Sequence, residues 1–311
     1  MSFNPLIKKI AETQNPTVVG LDPKLEYIPE FIKEKAFAEH GKTLKGAASA
    51  FLEFNKGIID AVCEIVPAVK PQAAFYEALG VEGVSALHAT CEYAKSRGLY
   101  IIMDAKRNDI GSTAEGYAQA YLGKVQIGEE EFTPWAVDAL TVNGYLGSDG
   151  IMPFVEMCEK YDKGIFVLVK TSNPSSGELQ DKFIEDTQVF EYMGNLCKYW
   201  GRETTLCKSG YSAVGIVMGA TFPNQIKKMR KKLPNTFFLI PGYGAQGGTA
   251  ENLKAAFDKN GIGGIVNNSR GVICAYQKEK CDERDFAGAA YRECVRMRDD
   301  LMKEIGSIKL P

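Results

Sequence analysis

The chain has 311 residues, of which 45% are apolar, and its 37 basic and 39 acidic side chains leave a formal net charge of −2. This length allows a large buried core, and the near-neutral, interspersed charge argues against a nucleic acid or an anionic membrane as a partner. We expect a cytoplasmic protein, because no stretch approaches the roughly 18 apolar residues of a membrane span and the N-terminal segment lacks the apolar core of a signal peptide.

Eight short apolar or β-branched runs recur along the chain, and each ends in polar or glycine-rich residues. In chain order they are TVVGLD (17–22), PAVKPQ (67–72), YIIMDAK (100–106), DALTVNG (138–144), GIFVLVKTS (164–172), YSAVGIVMGA (211–220), TFFLIPGYG (236–244) and GGIVNNSR (263–270). Most are continuous rather than alternating, which is typical of parallel strands covered by helices. Helical patterns such as FLEFNKGIIDAVCEIV (51–66) and VEGVSALHATCEYAKSRG (81–98) separate them.

Eight strand–helix units predict an α/β fold, a closed (β/α)8 TIM barrel, formed by a single domain over residues 1–311. A doubly wound open sheet is the alternative, but no GxGxxG opens a helix after the first strand. Two segments, 23–50 and 173–210, are longer than simple βα loops need. We expect these enlarged loops to add helices or lids over the same face of the barrel.

In barrels of this kind the chemistry lies where the strands end, on the βα loops. Polar side chains capable of binding or catalysis fall at such ends in this sequence. They are Asp22, Lys70, Asp104, Lys106, Asn143, Ser172, Gln246 and Arg270. Solubility is a poor explanation for eight such side chains on one rim, so we take this rim as the candidate active site.

The cysteines and histidines limit the chemistry that is available. The eight cysteines contain no CxxC pair, and most lie inside apolar segments, which is typical of reduced, buried cysteines in a cytosolic protein. His40 and His88 are the only histidines, which argues against a histidine-rich metal site and against Ser–His or Cys–His nucleophiles. Catalysis is therefore expected to depend on Lys, Asp, Glu or a bound ion.

The densest group of charges is DAKRND (104–109), at the end of the third predicted strand. Asp104 and Lys106 are two residues apart, so on a regular strand their side chains share a face, and Asp109 could assist from the loop. Such a pair keeps both groups ionised, but alone it is also compatible with an ion pair that merely caps a strand. Lys70 would extend it to an alternating Lys–Asp–Lys–Asp array, which is costly to desolvate unless a substrate uses it.

The last two predicted strands end in features that favour phosphate binding. In LIPGYGAQGG (239–248) four glycines flank Gln246, and their flexibility allows backbone N–H groups to close on an anion. The next strand ends in Ser269, Arg270 and Gly271, where the arginine offers a planar fork of donors. A glycine-rich loop alone indicates only a tight turn, but these two loops are the habitual phosphate site of such barrels.

Together these motifs resemble those of the orotidine 5′-phosphate decarboxylase family, in its longer bacterial-type (type 2) branch. DAKRNDIGST (104–113) is similar to the DxKxxDI signature of that family. The other similar segments are GLDP (20–23), KPQAAFYE (70–77), TVNGYLG (141–147), KTSNP (170–174) and PGYGAQGG (241–248). The resemblance implies a carboxy-lyase of pyrimidine biosynthesis that converts orotidine 5′-monophosphate to UMP and CO2 without a metal or an organic cofactor.

The resemblance also implies roles for the charged array. Lys106 would donate the proton to pyrimidine C6 once CO2 has left. Asp104 would lie against the departing carboxylate, and Lys70 would bridge Asp104 and the ribose. Asp109 and Thr113 would reach into the neighbouring subunit's site, which implies a homodimer with shared active sites.

The remaining implied roles concern substrate binding. Asp22 matches the acid that binds the ribose hydroxyls, and Ser172 matches the residue that reads the pyrimidine ring. Gln246 and Arg270 match the phosphate ligands.

Two alternatives stay open at this point. A magnesium-dependent keto-sugar-phosphate decarboxylase or aldolase of the same superfamily shares DxKxxD, but it needs acidic metal ligands where this chain has Lys70 and Asn143. A non-catalytic nucleotide-binding barrel would keep Gln246 and Arg270 but would not require Lys106 between two acids.

Overall fold

The computed structural model describes residues 3–244 and 247–310, and its centre is a closed barrel of eight parallel strands. The strands are β1 (Thr17–Leu21), β2 (Ala68–Pro71), β3 (Tyr100–Arg107), β4 (Ala139–Val142), β5 (Gly164–Lys170), β6 (Val214–Met218), β7 (Phe238–Pro241) and β8 (Gly264–Asn268). Each strand pairs with the next in the chain, and β8 closes on β1 with Val266 opposite Thr17. The predicted TIM barrel is therefore confirmed, and the open-sheet alternative is wrong.

Helices surround this barrel. The α-helices of the described residues are α1 (Asn4–Thr13), α2 (Glu30–His40), α3 (Leu44–Val62), α4 (Ala73–Glu77), α5 (Gly80–Ser96), α6 (Gly111–Leu122), α7 (Ser148–Tyr161), α8 (Val189–Gly201), α9 (Pro223–Lys232), α10 (Ala250–Leu253), α11 (Arg270–Ile273), α12 (Ala275–Glu279) and α13 (Phe286–Ile305). None of these helices combines the length and the apolar character that crossing a membrane requires.

The barrel interior is apolar at the end where the strands begin. Helix α1 covers this end, and its buried Leu6, Ile7 and Ile10 join the interior side chains of the strands in one cluster. The ring of Phe3 lies 5.1 Å from that of Phe166 and 5.3 Å from that of Phe237. With this end filled by hydrocarbon, the polar residues at the opposite end are left to form the open cavity.

Parts of the two long segments predicted as inserts reach the opposite end of the barrel. Residues 23–50 hold a 3-10 turn (Leu25–Tyr27), helix α2 and the first turns of α3. Residues 173–210 hold a 3-10 turn (Pro174–Glu178), a small hairpin (Phe183–Ile184 with Thr187–Gln188) and α8. Each segment contributes side chains to the wall of the cavity at this end.

Candidate active site

The barrel opens, where its strands end, into a cavity of about 750 Å³. Six of the residues singled out from the sequence line it: Asp22, Lys70, Asp104, Lys106, Ser172 and Arg270. Tyr27 and Gln180, from the two long segments, complete part of the wall. Gln246 lies outside the described residues.

Lys106 reaches the cavity because the C-terminal end of strand β3 is irregular. Pairing between β3 and β4 shifts register between Met103 and Arg107, and Lys106 has a left-handed φ of 52°. That conformation costs a residue with a Cβ roughly 1–3 kcal/mol. The expected contact between Lys106 and Asp104 is present at 2.6 Å, but a backbone bulge rather than regular strand alternation produces it.

The carboxylate of Asp104 is surrounded by four donors. Lys106 Nζ and Thr141 Oγ1 donate to its Oδ1 at 2.6 and 2.9 Å. Lys70 Nζ and Gln72 Nε2 donate to its Oδ2 at 2.7 and 2.9 Å. A carboxylate offers about four acceptor positions, so all of them are in use and the group has a single orientation.

Charge pairing decides the ionisation of this group. Burial by itself would raise the pKa of Asp104, but the ammonium groups of Lys70 and Lys106 outweigh burial and hold that pKa well below its ordinary value. Burial likewise favours a lower pKa for Lys70, yet Asp104 and then Asp22 raise it above the ordinary value. At neutral pH the Asp104 carboxyl is therefore ionised and the Lys70 amine keeps its proton.

The two lysines differ in accessibility. The side chain of Lys70 is 5% exposed, whereas that of Lys106 is 45% exposed. Lys70 is thus largely enclosed with Asp104, and Lys106 is the more accessible of the two to a molecule in the cavity.

Asp22 and Ser172 occupy the cavity wall after β1 and β5. Oδ1 of Asp22 is buried and has no hydrogen-bond partner among the described residues. An unsatisfied buried acceptor costs about 1–3 kcal/mol, so a ligand hydroxyl at this position would be favoured. The strand end before Ser172 is fixed by Gln180, whose amide accepts from Thr171 N at 2.9 Å and donates to Thr171 Oγ1 at 2.8 Å.

The wall after β7 and β8 carries the features predicted to bind phosphate. Gly242 and Gly244 both have positive φ, at 101° and 72°, so this turn follows a path that other residues rarely adopt. The Tyr243 hydroxyl between them donates to Asp300 of α13 and ties the turn to that helix. Arg270 is exposed, lines the cavity and forms no ion pair with any described residue, so its guanidinium is available to an anion.

Asp109 and Thr113 do not lie with the other predicted residues in the single chain. Asp109 follows β3 and accepts a hydrogen bond from Ile110 N at 2.8 Å, and Thr113 is exposed near the start of α6. Neither is among the residues that line the described cavity.

Two neutral donors to Asp104 were not assigned from the sequence. Gln72 lies two residues after Lys70 in the KPQ segment, and that spacing could have indicated it. Thr141 lies inside β4, where a buried β-branched residue looks like ordinary strand packing.

The closed barrel, the charged array and the arginine beside a glycine-rich turn define an α/β-barrel enzyme whose site suits an anionic substrate. Residues 18–282 match the Orotidine 5′-phosphate decarboxylase / HUMPS family. An orotidine 5′-phosphate decarboxylase from Rhodopirellula baltica is 43% identical over 296 residues, which cover 94% of this chain and 96% of that protein. The chain belongs to this family.

Solved structures agree with that assignment. The structure of Leishmania donovani OMP decarboxylase superposes with a TM-score of 0.72 at 31% identity, covering 96% of this chain and all of the other. Leishmania donovani UMP synthase superposes with a TM-score of 0.73 at 32% identity, and the match spans 57% of that longer chain.

These comparisons confirm the predicted family and the carboxy-lyase class. Relatives at about 40% identity bear the decarboxylase name, and this favours neither the keto-sugar-phosphate enzyme nor the non-catalytic barrel. Among the described residues, no three or more His, Cys, Asp and Glu side chains are grouped to hold a metal ion. That no cofactor takes part stays a prediction.

Proposed function

We infer that this chain decarboxylates orotidine 5′-monophosphate to UMP and CO2 in the cavity at the ends of its strands. The observation that carries this assignment is the fully bonded Asp104 carboxylate between Lys70 and Lys106, beside an open cavity. This arrangement suits a reaction in which a carboxylate leaves and a carbanion forms, since the accessible Lys106 ammonium stabilises the charge that develops on C6 more than the charge of the starting carboxylate.

The chemical step assigns the proton to Lys106. The bond from C6 to the carboxylate breaks, CO2 leaves, and the electron pair stays on C6. The exposed Lys106 ammonium stabilises this carbanion and transfers a proton to it, which forms the C6–H bond of UMP, and solvent then returns a proton to the amine.

Asp104 acts before the bond breaks. Two carboxylates about 4 Å apart repel by on the order of 4 kcal/mol at an effective dielectric of about 20, and this repulsion disappears when neutral CO2 departs. Lys70 and Lys106 already pair with Asp104 and offset part of that repulsion. We therefore assign the larger effect to stabilisation of the carbanion by Lys106.

Binding of the rest of the substrate follows the cavity wall. The unpartnered Asp22 oxygen accepts from a ribose hydroxyl, with Lys70 beside it, and Ser172 contacts the pyrimidine. Arg270 binds the phosphate, together with Gln246. Binding energy from the phosphate, which is remote from C6, organises the site for the reaction.

The functional protein in this proposal is a homodimer in which Asp109 and Thr113 complete the partner's site. Exposed apolar side chains beside them support it: Ile110 is 55% exposed and Tyr145 is 77% exposed. The loops that carry them are joined, since the side-chain amide of Asn108 donates to the carbonyl of Asn143. Exposed apolar side chains next to two proposed site residues that lie outside the cavity of their own chain suit contact with a second copy.

The proposal also covers the cellular compartment of the protein and the number of domains in the chain. All eight cysteines are free, which supports a reducing compartment and hence the cytoplasm. We take residues 1–311 as one domain, because both long segments contribute to the same cavity as the barrel strands.

The test is loss of substrate absorbance when the purified protein is mixed with orotidine 5′-monophosphate in EDTA. Lys106→Ala should lower kcat by about 10²–10⁴-fold, because it removes the proton donor and the nearby positive charge. Lys8→Ala, an exposed lysine on α1 at the opposite end of the barrel, is the matched control and should match the unmodified protein. If the protein shows no turnover, or turnover only when magnesium is added, the proposal is wrong and a keto-sugar phosphate becomes the favoured substrate.

A further inference from the structure

Thr141 is the residue that connects the two strands at the charged array. It is the third residue of β4, is 1% exposed and lines the cavity. Its hydroxyl donates to Asp104 Oδ1 at 2.9 Å and accepts from the backbone N–H groups of Ala105 and Lys106, both at 3.0 Å.

These three contacts use the full capacity of the hydroxyl. A threonine hydroxyl has one proton to donate and two lone pairs that accept. Because two backbone N–H groups occupy the lone pairs, the proton is directed to Asp104. Thr141 therefore acts as a neutral donor that holds one carboxylate oxygen beside Lys106.

The same contacts hold the irregular end of β3. The β3–β4 register shifts between Met103 and Arg107, and the N–H groups bound by Thr141 belong to the bulged residues. Lys106 has its left-handed φ of 52° at this point, a conformation that persists only when its surroundings impose it. Thr141 supplies the side-chain acceptor that fixes this bend.

We propose that Thr141 is a positioning residue for proton transfer: its hydroxyl ties the bulge of β3 to Asp104 and so holds the Lys106 ammonium where C6 is protonated. The inference rests on the proposed decarboxylase function. A residue that only packed the strand would serve equally well as valine, which has the same shape and no hydroxyl.

The experiment compares Thr141→Val, Thr141→Ser and Thr141→Ala with Thr17→Val. Thr17 is a matched control because it is a buried barrel threonine whose hydroxyl has no partner among the described residues, at the start of β1. For each variant kcat and KM for orotidine 5′-monophosphate, the affinity for UMP and the thermal unfolding midpoint are measured.

Thr141→Val should lower kcat about 10–100-fold, because misplacement of a reacting group by about 1 Å has effects of that size. KM and UMP affinity should stay within about threefold, since the phosphate and ribose contacts are intact. Thr141→Ser keeps the hydroxyl and should retain most of kcat, whereas Thr141→Ala removes the hydroxyl and should lower kcat as the valine variant does. Thr17→Val should leave kcat unchanged.

Two results would overturn the inference: a kcat for Thr141→Val close to that of the unmodified protein, or equal losses in the serine and alanine variants. The serine–alanine comparison decides the question if the valine variant does not fold. If the unmodified protein itself fails to turn over the substrate, the proposed function has failed, which is a separate outcome.

Discussion

At the scale of single residues, Asp104 shows why a buried charge can be retained in a barrel. Its two oxygens accept from two ammonium groups and from the neutral donors Gln72 and Thr141. Removing one member of a buried charge group leaves the others uncompensated, which typically costs about 3–5 kcal/mol. The group is therefore stable only as a complete set.

The depressed pKa of Asp104 predicts an acid-dependent contribution to stability. A carboxyl whose pKa is lower in the folded state stabilises the fold above its unfolded-state pKa of about 4, and this stabilisation is lost as the pH falls from there toward the folded-state pKa. Asp104→Asn should therefore lower the free energy of unfolding by about 3 kcal/mol at neutral pH. The difference from the unmodified protein should shrink below about pH 4.

Urea unfolding at a series of pH values measures that difference directly. A difference that stays constant between neutral and acid pH would show that Asp104 does not stabilise the fold through its charge. Lys70 affects the stability of the fold on the alkaline side of the pH range. Because its pKa is raised in the folded state, its contribution to the free energy of unfolding is complete below the unfolded-state pKa of about 10.4 and is lost at still higher pH.

At the scale of elements, an ion pair between a buried lysine and a partly exposed aspartate holds the 173–210 segment against the barrel. Lys170, the last residue of β5, is fully buried, and its Nζ donates to Asp181 Oδ1 at 2.8 Å. The ammonium also lies 4.4 Å from the ring centroid of Phe222. Gln180, adjacent to Asp181, bonds to Thr171 and lines the cavity. The pair thereby couples the segment to the strand end that carries Ser172.

We predict that Asp181→Asn raises KM for orotidine 5′-monophosphate about tenfold, equivalent to about 1.4 kcal/mol. The substitution leaves the Lys170 ammonium buried without a carboxylate, so the segment should detach more readily and disturb the cavity wall. Steady-state kinetics give KM, and amide hydrogen exchange reports opening of residues 173–188.

Asp186→Asn is the matched control, because it makes the same change at an exposed residue of the same segment. If both variants keep the KM and exchange rates of the unmodified protein, the Lys170–Asp181 pair does not position this wall of the cavity.

At the scale of the whole molecule, the placement of Asp109 and Thr113 outside the cavity predicts complementation between subunits. Lys106→Ala and Asp109→Ala should each be nearly inactive as homodimers. In a mixed dimer one site carries both defects and the other carries neither. An equal mixture of co-expressed chains should therefore recover about a quarter of the activity of the unmodified protein, since half of the dimers are mixed and each has one intact site.

Mass spectrometry of the mixed sample establishes that mixed dimers have formed. Mixed dimers without recovered activity would mean that Asp109 serves the site of its own chain or none. A protein that stays monomeric at working concentration would contradict the shared site altogether.

The barrel was predictable because its signal is repeated and local. Eight apolar runs, most of them continuous and with helical patterns between them, correspond to the eight paired strands, and β1, β2, β4, β6 and β8 are buried at every position. Strand ends then indicate which polar residues share a rim, since parallel strands all end on one side. In this way the approximate position of Asp22, Lys70, Asp104 and Arg270 follows from the sequence alone.

Other features depend on pairing between distant segments, which local patterns do not encode. The bulge at Lys106 arises from the register of β3 against β4, and only that register brings the Thr141 hydroxyl to Ala105 and Lys106. The sequence by itself determined the barrel and the rim on which its charges lie, because burial and periodicity are properties of neighbouring residues. The tertiary structure decided which neutral side chains complete the Asp104 array and how Lys106 reaches it, because hydrogen bonds between strands depend on geometry that no single strand contains.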